Sequence, residues 1–265
     1  MRARTNDIET AWFEIGRGDP VVLIHGLGDD HRAWRRVVSK LALEHRVLLY
    51  DFRGHGQTQI GEADGTLTQL GADLIALMDA LDLGTATLAG FSLGGTIAMR
   101  AAIDHPERVS ELALVATSSR VNAAAAEWYR ERARMAAEDD PSLRTTLDRD
   151  TEDVYRNRPE EIESGLLIRR QATADVAGYT NACRAMASLR EHPLDSQLGS
   201  IKARTVIVAG DKDQHCPPRA AEIIAERISD SRLEILGGAG HPIPVERPSE
   251  VARLIAAVHR ATATA

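Results

Sequence analysis

Strand-length apolar runs alternate with amphipathic stretches along most of this chain, and that order constrains its fold more than any other feature. The runs are Val21-Val22-Leu23-Ile24, Arg46-Val47-Leu48-Leu49-Tyr50, Ala86-Thr87-Leu88-Ala89, Leu112-Ala113-Leu114-Val115, Val206-Ile207-Val208 and Leu233-Glu234-Ile235-Leu236. Each is as long as a strand buried on both faces. Helical spacing appears in Trp34 to Leu43, Leu67 to Leu81, Leu93 to His105, Pro218 to Ile228 and Ser249 to Arg260. A β-α-β-α order of this kind predicts an α/β fold, with a mostly parallel central sheet flanked by helices. Trp12 to Gly18 is expected to add an antiparallel edge strand, with Gly16 to Pro20 as the turn that follows it.

The alternation stops between Val121 and Leu198. This stretch is rich in Ala, Arg and Glu and contains no strand-like run. It reads as a helical insertion between two strands of the sheet. The expected division is a core of residues 1–120 and 199–265 and a helical unit of residues 121–198. The ATATA tail is expected to fray.

Composition narrows the function classes. The chain has 265 residues and a formal charge of −7, which argues against a sequence-independent grip on nucleic acid. Two cysteines, Cys183 and Cys216, exclude a disulfide scaffold or a Cys-rich metal module. The start, MRARTNDIETAWFEI, has no apolar core of a signal peptide, and no window is apolar enough to span a bilayer. A cytoplasmic protein without membrane partners is the expectation.

The strongest local signal is Gly90-Phe91-Ser92-Leu93-Gly94, placed between a run read as a strand and a stretch read as a helix. A serine raised on a sharp strand-to-helix turn needs small residues two positions to either side, because strand and helix crowd there. Gly90 and Gly94 meet that need, and the helix N-terminus beneath Ser92 favours developing negative charge. Ser92 is therefore the expected nucleophile.

A serine hydroxyl needs a base. His241 follows the last strand-like run in a glycine loop, Gly237-Gly238-Ala239-Gly240-His241-Pro242, where a side chain can reach back over the sheet edge. It is the expected base. Its acid should also follow a strand. In Gly210-Asp211-Lys212-Asp213 two aspartates compete; the spacing favours Asp213 as the acid and leaves Asp211 to the turn. His25-Gly26-Leu27-Gly28 follows the first central strand, so the backbone N–H groups of Leu27 and Leu93 are the expected oxyanion-hole pair. His25 is expected to brace this loop, and Asp51 and Arg53 to pin the turn after the second strand. No metal-ligand spacing stands out, and no cofactor is expected.

Taken together, the HG loop, the D-x-R-G-H-G turn, GFSLGG, GDKD and GAGHP resemble the α/β-hydrolase superfamily over about Trp12 to Thr117 and Ile201 to Arg260. HGLGDDHRAW, YDFRGHGQT and Gly178-Tyr179-Thr180-Asn181-Ala182-Cys183-Arg184-Ala185 resemble the 3-oxoadipate enol-lactonase group and its esterase relatives. The acid loop, Gln214-His215-Cys216-Pro217-Pro218, departs from that group's usual D-P-x-T-P. The resemblance implies that residues 121–198 form a cap over the pocket. It also implies hydrolysis of a small-molecule carboxylic ester or lactone through an acyl-enzyme. A carboxylate-bearing substrate would be served by one of the insertion's arginines: Arg130, Arg132, Arg134, Arg169, Arg170 or Arg184. Carbon–carbon bond hydrolases of ring-cleavage products keep the same triad and cap. That reading, and a ligand sensor on the same scaffold, stay open.

Overall fold

A computed structural model describes residues 1–260; the expectation about the 261–265 tail falls outside them. Its centre is one eight-stranded sheet. In chain order the strands are β1 (Arg2–Thr5), β2 (Ile8–Ile15), β3 (Pro20–Ile24), β4 (Arg46–Tyr50), β5 (Ala86–Phe91), β6 (Val109–Val115), β7 (Arg204–Gly210) and β8 (Ser231–Leu236). They lie in the order β1-β2-β4-β3-β5-β6-β7-β8. The first two pairings are antiparallel and the rest parallel. The helices are α1 (Val38–Leu41), α2 (Leu67–Ala80), α3 (Leu93–Asp104), α4 (Ala123–Ala137), α5 (Leu143–Val154), α6 (Ile162–Ala172), α7 (Val176–Ser188), α8 (Pro218–Ala225), α9 (Ile243–Glu246) and α10 (Pro248–Arg260).

The apolar runs are continuous because the central strands bury both faces. Val22, Ile24, Leu48, Leu88, Leu112, Leu114 and Ile207 pack with α2 and α3 on one side. Their neighbours Val21, Leu23, Val47, Ala89, Ala113, Val115 and Val208 pack with Trp34 and α10 on the other. Period-two alternation thus builds two apolar layers from one set of strands.

Three expectations need correction. The antiparallel strand runs over Ile8–Ile15, and it is not the edge, because β1 pairs outside it. A two-residue turn at Asn6 and Asp7 joins them, with Asn6 at φ 50, a conformation asparagine tolerates. The stretch from Trp34 is broken into a 3₁₀ turn (His31–Trp34) and the single turn of α1. Finally, β8 is the other edge, so Leu233 to Leu236 is only half-buried.

Helices α4–α7 all lie between β6 and β7 in the chain. They hold a small core of their own, from Ala133, Met135, Leu143, Leu147, Tyr179 and Cys183. Contact with the sheet domain is close at α7: a Cβ on Gly178 would stand 1.8 Å from the Gly54 carbonyl oxygen. Only two facing glycines allow that approach. Asn181 adds a hydrogen bond, its Oδ1 accepting from Gly65 N–H at 2.7 Å. Beneath, the buried Arg53 guanidinium donates to Asp73 and Asp7 and to the carbonyls of Ile60 and Glu62. The D-x-R-G-H-G turn is thereby pinned to α2 and to the β1–β2 turn.

Candidate active site

Parallel strands deliver their C-terminal ends to one edge of the sheet, where α/β folds place their ligands. Four such ends carry the residues singled out above: β3 leads to Leu27, β5 to Ser92, β7 to Asp213 and β8 to His241.

Ser92 sits at φ 53 and ψ −122, a strained backbone for a residue with a side chain. Neighbouring bonds hold it there. Its N–H donates to the Val115 carbonyl at 2.9 Å, and its carbonyl accepts from Thr117 Oγ1 at 2.7 Å and Gly95 N–H at 2.9 Å. The flanking glycines are sterically obligatory. A Cβ on Gly90 would lie 2.3 Å from the Gly94 carbonyl oxygen, and one on Gly94 would lie 2.2 Å from that of Ile24. Both obstacles are backbone, so Gly94→Ala is expected to cost about 3 kcal/mol or more. A urea titration checks this; a midpoint equal to that of the unaltered protein would contradict it.

The serine hydroxyl lies 3.1 Å from His241 Nε2, and His241 Nδ1 lies 2.8 Å from Asp213 Oδ2. The other Asp213 oxygen accepts from the N–H groups of His215 and Cys216 at 2.8 and 2.9 Å. Burial raises the Asp213 pKa, but the His241 ring and these hydrogen bonds outweigh it and hold the carboxyl below its usual range. Asp211 has a different place. Its Oδ1 accepts from Gly238 N–H at 2.7 Å and braces the glycine loop ahead of His241.

Leu93 opens α3, so its N–H has no carbonyl to bond within the helix. Among the described residues, neither that amide nor the Leu27 amide is used in a hydrogen bond. Leu27 lines the Ser92 cavity, and Leu93 follows Ser92 in the chain.

His25 braces the Leu27 loop as expected; His55 and Glu246 support the site without having been foreseen. His25 and His55 lie buried behind the Leu27 loop. Phe52 N–H donates to His25 Nε2 at 3.1 Å, and His25 Nδ1 donates to the Gly26 carbonyl at 2.9 Å. Gly28 N–H donates to His55 Nε2 at 3.2 Å, an arrangement open only to neutral imidazole. Burial above all, with the neighbouring His25 ring, pushes His55 down to about 3. The unfolded chain therefore takes up a proton near pH 6.5 that the folded chain refuses until about pH 3. Stability held above pH 6.5 is lost as the pH falls through this window. His55→Gln is expected to make that loss shallower by up to about 1.4 kcal/mol per pH unit. Denaturant titrations across the acid range read the slope; an unaltered slope would contradict the assignment. Glu246 steadies the base loop from α9, with its Oε2 accepting from Gly240 N–H at 2.6 Å.

Cys183 and Cys216 are buried, and burial pushes Cys183 up to about 12, so neither has the character of a nucleophile. Among the described residues, one group approaches a metal-ligand set: Asp30, His31 and Asp51. Its ligand atoms are already engaged. Asp30 binds Arg32, and Asp51 accepts from His31 Nδ1 at 2.7 Å and Gln57 N–H at 2.9 Å.

Above Ser92 is a small cavity of about 40 Å³, closed by Val154 and Tyr155 from the end of α5. A polar cleft of about 420 Å³ adjoins it, and Val154 and His241 line both. Residues 19–248 match the model of the alpha/beta hydrolase fold family. The chain belongs to the α/β-hydrolase family. It is 29% identical to 3-oxoadipate enol-lactonase 2 of Acinetobacter baylyi, over 95% of this chain and 93% of the relative. It is 28% identical to 2-hydroxy-6-oxo-2,4-heptadienoate hydrolase of Pseudomonas putida, over 94% and 91% respectively. A thermophilic esterase from Thermogutta terrifontis superposes with a TM-score of 0.85 at 30% identity, covering 98% of each chain. These similar proteins carry different names: an enol-lactonase, a heptadienoate hydrolase and an esterase. Among the described residues no helix is long and apolar enough to cross a membrane.

Proposed function

We propose that this α/β-hydrolase is a cytoplasmic serine hydrolase that cleaves a small-molecule carboxylic ester or lactone, an enol-lactone included, without a cofactor. The observation that carries the reading is the unbroken hydrogen-bonded chain from Ser92 Oγ through His241 to Asp213, at 3.1 and 2.8 Å, on a strained elbow. In this reading His241 Nε2 takes the Ser92 proton as Oγ attacks the carbonyl carbon. Asp213 holds the ring so that Nε2 faces the serine, and stabilises the imidazolium without taking its proton. The Leu27 and Leu93 amides receive the oxyanion. His241 then returns the proton to the leaving oxygen. A water, deprotonated by His241, releases the acid from Ser92.

Helices α4–α7 act as a cap in this proposal. The closed space beside Ser92 is far below the few hundred Å³ of a typical ligand site, so the adjoining cleft takes the rest of the substrate. A hydrolysis panel tests the reading. It contains short and medium p-nitrophenyl esters, simple lactones, an enol-lactone and a vinylogous diketone. Turnover of esters or lactones is expected. Cleavage of the diketone alone would move the assignment to carbon–carbon hydrolysis, and silence across the panel from folded protein would favour a ligand sensor.

A further inference from the structure

The insertion carries eleven arginines, and five of the six singled out above are accounted for. Arg130, Arg132, Arg134 and Arg170 form ion pairs with Glu191, Asp150, Glu131 and Asp148. Arg184 is exposed. Arg169 on α6 is the exception. It is only 9% exposed, yet among the described residues its guanidinium has no hydrogen-bond or ion-pair partner, and its Nε is fully shielded. A buried guanidinium left unpaired is costly, and such groups normally have a partner. This one faces the Ser92 cavity, lining it together with Leu27, Asp29, Ser92 and His241. It rests on the Leu27 loop: a Cβ on Gly28 would stand 2.8 Å from Arg169 Nη1.

Asp29 lies on the wall of the same cavity. Among the described residues its carboxylate also lacks a hydrogen-bond donor, and it is not within ion-pair reach of Arg169. Burial raises the Asp29 pKa, and the Arg169 charge partly offsets that. The cavity thus holds a cation and an acceptor that do not satisfy each other. A lone carboxylate ligand would satisfy Arg169 but leave Asp29 without a donor. A carboxylate with a hydroxyl on the adjacent carbon would serve both.

We propose that Arg169 and Asp29 form a split clamp for the acyl part of the substrate, Arg169 binding a carboxylate and Asp29 accepting a hydrogen bond from the neighbouring hydroxyl. The substrate class is then an ester or lactone of a short hydroxy-diacid. Placing the clamp on the acyl part rests on Ser92 being the nucleophile.

Three methyl esters with the same four-carbon acyl chain test it: the 4-methyl monoester of malic acid, monomethyl succinate and methyl butyrate. The unaltered protein is expected to prefer the malate ester over the succinate ester by about tenfold in kcat/KM, and both over butyrate. In Arg169→Gln the malate-to-butyrate ratio is expected to fall about 100-fold, as for loss of charge-assisted hydrogen bonds. In Asp29→Ala the malate-over-succinate preference is expected to vanish. Arg170→Gln, an exposed neighbour, should leave the ratios as they were. Calorimetric titration of free malate into Ser92→Ala, with and without Arg169→Gln, reads the clamp independently of turnover. Weaker malate binding in the double variant supports it. Ratios unmoved by Arg169→Gln, or equal malate binding, would overturn it. Loss of Ser92-dependent cleavage of every ester, with malate binding still dependent on Arg169, would instead sink the serine-hydrolase reading and leave the clamp standing.

Discussion

Ser92→Ala is expected to remove all but a residue of the hydrolytic activity, lowering kcat by about 10⁶-fold while the protein stays folded. The magnitude follows from the way a nucleophile and its base act as one unit; deleting the serine alone forfeits nearly what deleting the whole set would. The remainder, about 10³–10⁴ over water, comes from the oxyanion amides and binding. The fold should be indifferent, because among the described residues the Ser92 hydroxyl has one partner, His241 Nε2 at 3.1 Å, and the elbow's backbone bonds are untouched. Steady-state kinetics on the best ester of the panel, beside circular dichroism, measures both. A fall of less than tenfold would mean that another group attacks the carbonyl.

The second large effect separates two aspartates that are two residues apart. Asp213→Asn is expected to lower kcat by about 10⁴-fold, because an amide in that place favours the wrong imidazole tautomer. It also exchanges one acceptor for a donor beside His241 Nδ1, 2.8 Å away. Asp211→Asn should cost far less, about tenfold at most: Asp211 touches the Gly238 amide, and an Asn oxygen can accept that bond. Side-by-side kinetics of the two variants settles the order. Greater damage at position 211 would reverse the assignment.

Much of the fold was legible because the central strands are buried on both faces, so their sequences are unbroken apolar runs. Strand β1 was not, because a four-residue edge strand such as Arg2–Thr5 carries charge and gives no apolar signal. In the candidate site, the residues placed at strand ends could be read: Ser92 from its flanking glycines, and Asp213 and His241 from their distance beyond β7 and β8. Asp211 and Asp213 separate by the same logic, since a residue at the strand end serves the turn and one two positions on clears it. Residues held through tertiary contact could not be read. Nothing local marks His55 as the acceptor for Gly28, or Glu246 as the support of Gly240. Arg169 was one of six candidates. Local spacing explains Arg130 and Arg134, which have acids three or four residues away. Arg132 and Arg170 pair with acids on α5, visible only once the insertion is folded.

Whether Ser92 is the nucleophile is read from the mass of the protein after reaction with an active-site-directed fluorophosphonate, followed by peptide mapping. One adduct per chain is expected, carried on Ser92, absent from Ser92→Ala and formed far more slowly in His241→Ala. An adduct on any other residue, or unmodified protein that still hydrolyses esters, would contradict it.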